Sequence, residues 1–95
     1  MSNQYTATKI LLGDIWFVPD EAFNDEHQRI DFELIKQQMG KVSPSHTESL
    51  QFALAQHLFT GRGKVDLRNL FARSDSATGD LLIRAFNVFL GRGEE

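Results

Sequence analysis

The chain has no cysteine. That excludes a disulfide scaffold, a thiolate zinc site and a cysteine nucleophile, and it suits a reducing compartment. Proline and glycine are sparse, at two and seven residues, which is the balance of an ordinary globular chain. No apolar run approaches the roughly 20 residues a membrane helix needs. The opening MSNQYTATK has no basic stretch followed by an apolar one, so no signal peptide is expected and the expected location is cytoplasmic. Catalytic signatures are missing too. There is no H-E-x-x-H and no nucleophile elbow. On the helices read below, His46 and His57 stand about 16 Å apart along one axis, too far to share a metal. His27 lies in an acidic run and reads as a solvated residue. The stretch GRGK lacks both the upstream glycine and the Ser/Thr of a phosphate loop. No cofactor, metal site or enzyme activity is expected.

What is present is 95 residues, 41% of them apolar and eight of them Phe. A chain of this length forms one domain, residues 1–95, and buries roughly 60–70% of its unfolded surface. The net charge of −3 is unevenly spread. From Asp14 to Glu33 seven acids face one base, Arg29, a local −6. From His57 to Gly93 six bases face three acids, a local +3. Such a split suits surfaces for partners of opposite charge, or two regions that face each other.

The periodicity predicts a mainly α fold of about four helices around one core. In KILLGDIWFV, Gly13-Asp14 has the chemistry of a two-residue turn, and Ile15 to Val18 are strand formers. Short strands, as in a short N-terminal β-hairpin, or an extended arm are therefore preferred to an irregular helix over residues 8–18. Asp25 and Gln28 have capping-box spacing before a helix over Asp25–Met39, although Ile30, Phe32 and Leu34 also alternate as in a strand. Ser45 and Glu48 open the clearest helix, apolar nearly all round and so expected at the centre. Asp66 caps a short helix, with Val65 and Leu70 as its hydrophobic staple. The last helix runs from about Asp80 to Leu90. The second and fourth of these helices are expected to form the core, with Leu50, Leu54, Leu58, Phe59, Leu70, Phe86 and Phe89 buried. Trp16 is read as core, with an exposed anchor beside the acidic run as the alternative.

LFTGRG and VFLGRG, thirty residues apart, each follow an apolar helix. Gly61 and Gly91 stand where a helix end wants a left-handed residue, and Arg62 and Arg92 set positive charge against the negative helix end. If the two helices run parallel, both arginines reach one end of the molecule, beside Lys64.

Three function classes compete. Residues 65–90 read as helix, turn, helix in the basic half, as in a small DNA-binding regulator. However, the would-be recognition helix is mostly apolar and the chain as a whole is acidic. A structural subunit would self-associate through its Phe-rich surface. The third class is a protein-binding inhibitor that presents Asp20, Glu21, Asp25, Glu26, Asp31 and Glu33, with Trp16, to a basic partner. In size, lack of cysteine, the acidic PDEAFNDEHQRIDFELI and the helical LFTGRGKVDL, the chain resembles the small immunity proteins that neutralise secreted bacterial toxins, including those of contact-dependent growth inhibition. Phage-encoded inhibitors of host defence share these features. The resemblance implies a non-enzymatic inhibitor that covers the active site of a cognate toxin, such as a basic nuclease, with no membrane partner.

Overall fold

The computed structural model describes residues 2–92. Five α-helices and one two-stranded antiparallel sheet make up the fold of these residues. The helix absent from the sequence expectation is the first. α1 spans Asn3–Gly13, where a hairpin was expected. Ser2 caps it, its hydroxyl accepting from the Tyr5 amide at 3.1 Å. Gly13 and Asp14 end this helix instead of turning a hairpin.

α1 is the hub. It lies against both α3 (His46–Thr60) and α5 (Ser76–Phe89), while α4 (Leu67–Arg73) packs on α3. Tyr5, Ala7, Thr8, Leu11 and Leu12 are all buried. They point in more than one direction because α1 is covered on two sides. A helix covered on two sides shows no single apolar stripe, so the 3.6-residue signal that identifies a surface helix is weak here.

The Gln4 side chain donates to the Phe59 carbonyl at the end of α3, and the Asn3 side chain lies beside Gly91 just past the end of α5. At the far end of α1, Gln51 near the start of α3 bonds to the Leu11 carbonyl. Both α3 and α5 therefore run antiparallel to α1 and in the same sense as each other. The core they share includes Leu11, Leu12, Ile15, Phe17, Phe52, Leu54, Leu82 and Ala85. At about 1.5–3 kcal/mol per large side chain, this burial is the main force holding the helices together.

A short 3-10 turn, Asp20–Ala22, leads into β1 (Phe23–Asn24) and β2 (Arg29–Ile30). Phe23 pairs with Ile30 and Asn24 with Arg29. The expected helix from Asp25 gives way to this hairpin, and α2 spans Phe32–Lys41. Both residues expected to cap the earlier helix are taken by α1. Asp25 bonds Tyr5 and Lys9, and Gln28 Oε1 accepts from the Ser2 amide at 2.9 Å. Gln28 turns the corner with φ 53°. The real cap of α2 is Asp31, which accepts from the Leu34 amide at 3.0 Å.

The starts of α3 and α4 follow the sequence, whereas α5 begins at Ser76, before the expected Asp80, because Asp75 caps it. Ser45 and Glu48 form the reciprocal capping box, and Asp66 and Asp75 cap α4 and α5. Leu54 and Leu70 are buried as expected, while Leu50, Leu58, Phe59 and Phe86 are half-buried. Phe89 is 37% exposed and is not core. α3 and α5 each pack chiefly on α1, so α1 forms the core that was expected from their mutual contact.

Candidate functional site

The six candidate acids of the acidic run fall on three parts of the fold. Asp20 and Glu21 lie on the 3-10 turn, Asp25 and Glu26 in the hairpin turn, and Asp31 and Glu33 at the start of α2. All six are exposed. Their neighbours divide them into two groups.

Three have work within the fold. The Tyr5 hydroxyl donates to Asp25 Oδ1 at 2.6 Å, and Lys9 Nζ reaches the two carboxylate oxygens at 2.8 and 3.0 Å. Lys9 also sits 5.5 Å from the centre of the Phe23 ring. Asp25 thus clamps the hairpin to α1. Hydrogen bonds, first from Lys9 and then from Tyr5, hold its carboxyl below the usual carboxylate range. Burial, then the Asp25 hydrogen bond and charge, push the Tyr5 phenol up to about 12. Asp31 caps α2, and Glu33 lies 3.9 Å from Lys36 one turn on.

Asp20, Glu21 and Glu26 are different. Among the described residues their side chains make no hydrogen bond or ion pair. They are the acids of this run left to meet something else.

Trp16 is the second finding. It lies in the turn after α1, four residues before Asp20, and is 70% exposed. Its ring meets that of Phe17 edge to face, with centres 5.4 Å apart. Ile15 and Phe17 on either side are buried. The turn between α1 and the 3-10 segment buries Ile15 and Phe17 and leaves Trp16 out. The preferred core assignment is corrected, and the anchor alternative fits the exposure.

A cleft of about 280 Å³ opens where α3 and α5 begin and α1 ends. Ser45, Glu48, Asp75 and the Gln51 amide nitrogen in its lining are occupied by the fold, whereas the side chains of Arg73 and Thr47 make no hydrogen bond or ion pair among the described residues. Ser45 and Glu48 cap α3, Asp75 accepts from the Thr78 amide at 2.8 Å, and Gln51 Nε2 donates to the Leu11 carbonyl at 2.7 Å. Backbone and hydroxyl hydrogen bonds from Thr78 hold the Asp75 carboxyl low. These groups hold helix ends, and the cleft brings together no nucleophile with a base. No cluster of three metal-ligating side chains occurs among the described residues.

The two glycine stops behave as the sequence indicates. Gly61 and Gly91 take φ of 71° and 80°. Since α3 and α5 run in the same sense, Arg62 and Arg92 both emerge at the end where α1 begins. Gly93, the last residue of the second repeat, lies outside the described residues. Tyr5, Lys9 and Gln51 escaped the sequence reading because their importance rests on contacts 16 to 40 positions away.

No described helix is long and apolar enough to cross a membrane. Comparison with known proteins finds no matching family model, no matching curated protein and no matching solved structure.

Proposed function

We propose that this chain is a non-enzymatic protein-binding inhibitor of the immunity type, acting in the cytoplasm on a basic protein such as a nuclease toxin. The observation that carries the reading is Trp16, 70% exposed, with Asp20 and Glu21 following on the next turn. A solvent-facing Trp offers a large rigid contact area, and Trp is enriched at interface hot spots. The unpaired acids that follow it along the chain steer a basic partner and raise its association rate. Glu26 extends the same charge through the hairpin turn. Asp25 shapes this surface by holding the hairpin to α1, and Asp31 by capping α2.

The DNA-binding alternative has less support. The opening of α5 exposes Ser76, Ala77 and Asp80 and is capped by Asp75. Acids at the entrance of a recognition helix would repel phosphate.

The test is affinity capture from the native host with the wild-type chain, Trp16→Ala and the pair Asp20→Lys/Glu21→Lys. One basic protein captured in near-equal amount by wild type, and at least tenfold less by both variants, supports the reading. Equal capture by all three chains, or capture of nucleic acid alone, overturns it.

A further inference from the structure

The cleft where α3 and α5 begin holds a buried group that the fold leaves half used. Gln51 is 3% exposed, and its Nε2 donates to the Leu11 carbonyl at 2.7 Å and lies 3.5 Å from Asp14 Oδ2. Both neighbours can only accept, so the amide has one possible orientation, with its nitrogen toward them. Its Oε1 is turned away from them, and among the described residues no donor reaches it. No buried side-chain oxygen or nitrogen of the described residues is sealed off without a partner. Gln51 lines the cleft, so its Oε1 is reached from there. The lining around it is acidic. Asp14, Glu48 and Asp75 stand against one base, Arg73, three charges against one and a balance of −2. Glu48 and Asp75 cap α3 and α5. Asp14 has no such task. It stands at the C-terminal end of α1, where the helix dipole disfavours a carboxylate.

We propose that this cleft receives an arginine side chain of the basic partner, its guanidinium donating to Gln51 Oε1 and to the Asp14 carboxylate. A buried acceptor without a donor and a carboxylate at the negative end of a helix both call for a donor that carries positive charge. An anion does not fit, because carboxylates of the fold already occupy both helix starts. A guanidinium presents five donors in one plane and can bond two acceptors at once, which a compact ammonium does less well. The volume of about 280 Å³ falls just below the roughly 300–1,000 Å³ of a site for a drug-sized molecule, and it suits a single side chain. Trp16, the exposed anchor, is two residues beyond Asp14, so the cleft adjoins the proposed inhibitor surface along the chain. The guanidinium site stands on the cleft alone, and its assignment to a partner's side chain rests on the inhibitor reading.

The test is NMR titration of the isotope-labelled full chain with acetyl-arginine amide, which carries a guanidinium and no carboxylate. The Gln51 side-chain amide and the backbone amides of Ile15 and Glu48 should shift saturably, with a Kd on the order of 1 mM. Urea, which has planar N–H donors but no charge, should shift them far less. Asp14→Asn removes charge from an exposed helix end and should keep the fold. It should weaken binding roughly three- to fivefold, the worth of an exposed charge pair. Arg73→Ala removes the opposing charge and should tighten binding about twofold. Affinity capture with Asp14→Asn should recover correspondingly less of the basic partner. No saturable shift overturns the site, and so does weaker binding in Arg73→Ala, which would mark a site for an anion. A partner captured equally by wild type and Asp14→Asn, but lost in Trp16→Ala, overturns the arginine assignment and leaves the inhibitor reading standing. Saturable binding of acetyl-arginine amide with no protein captured overturns both the assignment and that reading, and the cleft then belongs to a free guanidinium compound.

Discussion

The Tyr5 hydroxyl meets Asp25 Oδ1 at 2.6 Å, twenty residues away in sequence. This contact joins the first helix to the hairpin and removes one carboxylate from the acidic surface. It also makes the single tyrosine a reporter. Its phenol is pushed up to about 12, chiefly by burial and then by Asp25. The folded state therefore favours the neutral phenol. The associated stability is fully present below pH 10 and is lost as pH rises from about 10 through 12. Titration of tyrosinate absorbance should give a midpoint near 12. Asp25→Asn should lower that midpoint while leaving it above 10, because burial remains. A midpoint at 10 in the folded wild type would show that the phenol is neither buried nor bonded to Asp25.

The same carboxylate gives an acid-side prediction of opposite sign. The Asp25 carboxyl titrates below its ordinary range. Its contribution is present above the unfolded value near 3.8 and is lost as pH falls through the lower folded value. Urea unfolding of wild type and Asp25→Asn should differ at pH 7 and converge toward pH 2. A gap that stays constant over this range would mean that the ion pair with Lys9 does not form in solution.

Trp16 and Phe17 are adjacent and differ sharply in burial. Trp16→Ala should change stability by no more than about 0.5 kcal/mol, as for other surface substitutions. Phe17→Ala should cost about 3–5 kcal/mol through the cavity it leaves. Denaturant melts check both figures. Acrylamide should quench the single Trp nearly as well in the folded state as in urea.

Gln51 is buried in α3 and donates to the Leu11 carbonyl at 2.7 Å. Leu11 lies in the last turn of α1, where carbonyls have no partner within the helix. Gln51→Ala should therefore cost about 2 kcal/mol, mainly from the buried acceptor left without a donor. Equilibrium urea unfolding measures it. A change below a few tenths would mean that water replaces the amide.

Gly61 and Gly91 hold left-handed backbone at the ends of α3 and α5. Alanine at either position should cost about 1 kcal/mol. A Cβ at Gly91 would also come within 3.2 Å of Asn3 Nδ2, whereas one at Gly61 would meet nothing within 4 Å. Asn3→Ala should therefore reduce the cost of Gly91→Ala and leave that of Gly61→Ala unchanged. A double-mutant cycle on thermal or urea melts gives the comparison.

The helices that could be read from sequence are those whose ends are local chemistry. Ser45 with Glu48, Asp66 before Leu67, and glycine after Thr60 are each settled within a few residues, so α3, α4 and the close of α5 were legible. The split of charge between the two halves was legible for the same reason, since it is only a count along the chain. The rest was decided by packing. α1 takes the residues before Gly13-Asp14 that were read as the first arm of a hairpin, and Ile15 to Val18 form the turn after it, because burial between α3 and α5 outweighs local preference. The hairpin at Phe23–Ile30 exists because Tyr5, Lys9 and Ser2 take the side chains that would have capped a longer helix. Which acids are free, and whether an aromatic faces water, depends on partners far along the chain. Trp16 and Phe17 are neighbours of similar chemistry, and only the direction of the turn after α1 places one outside and the other in the core.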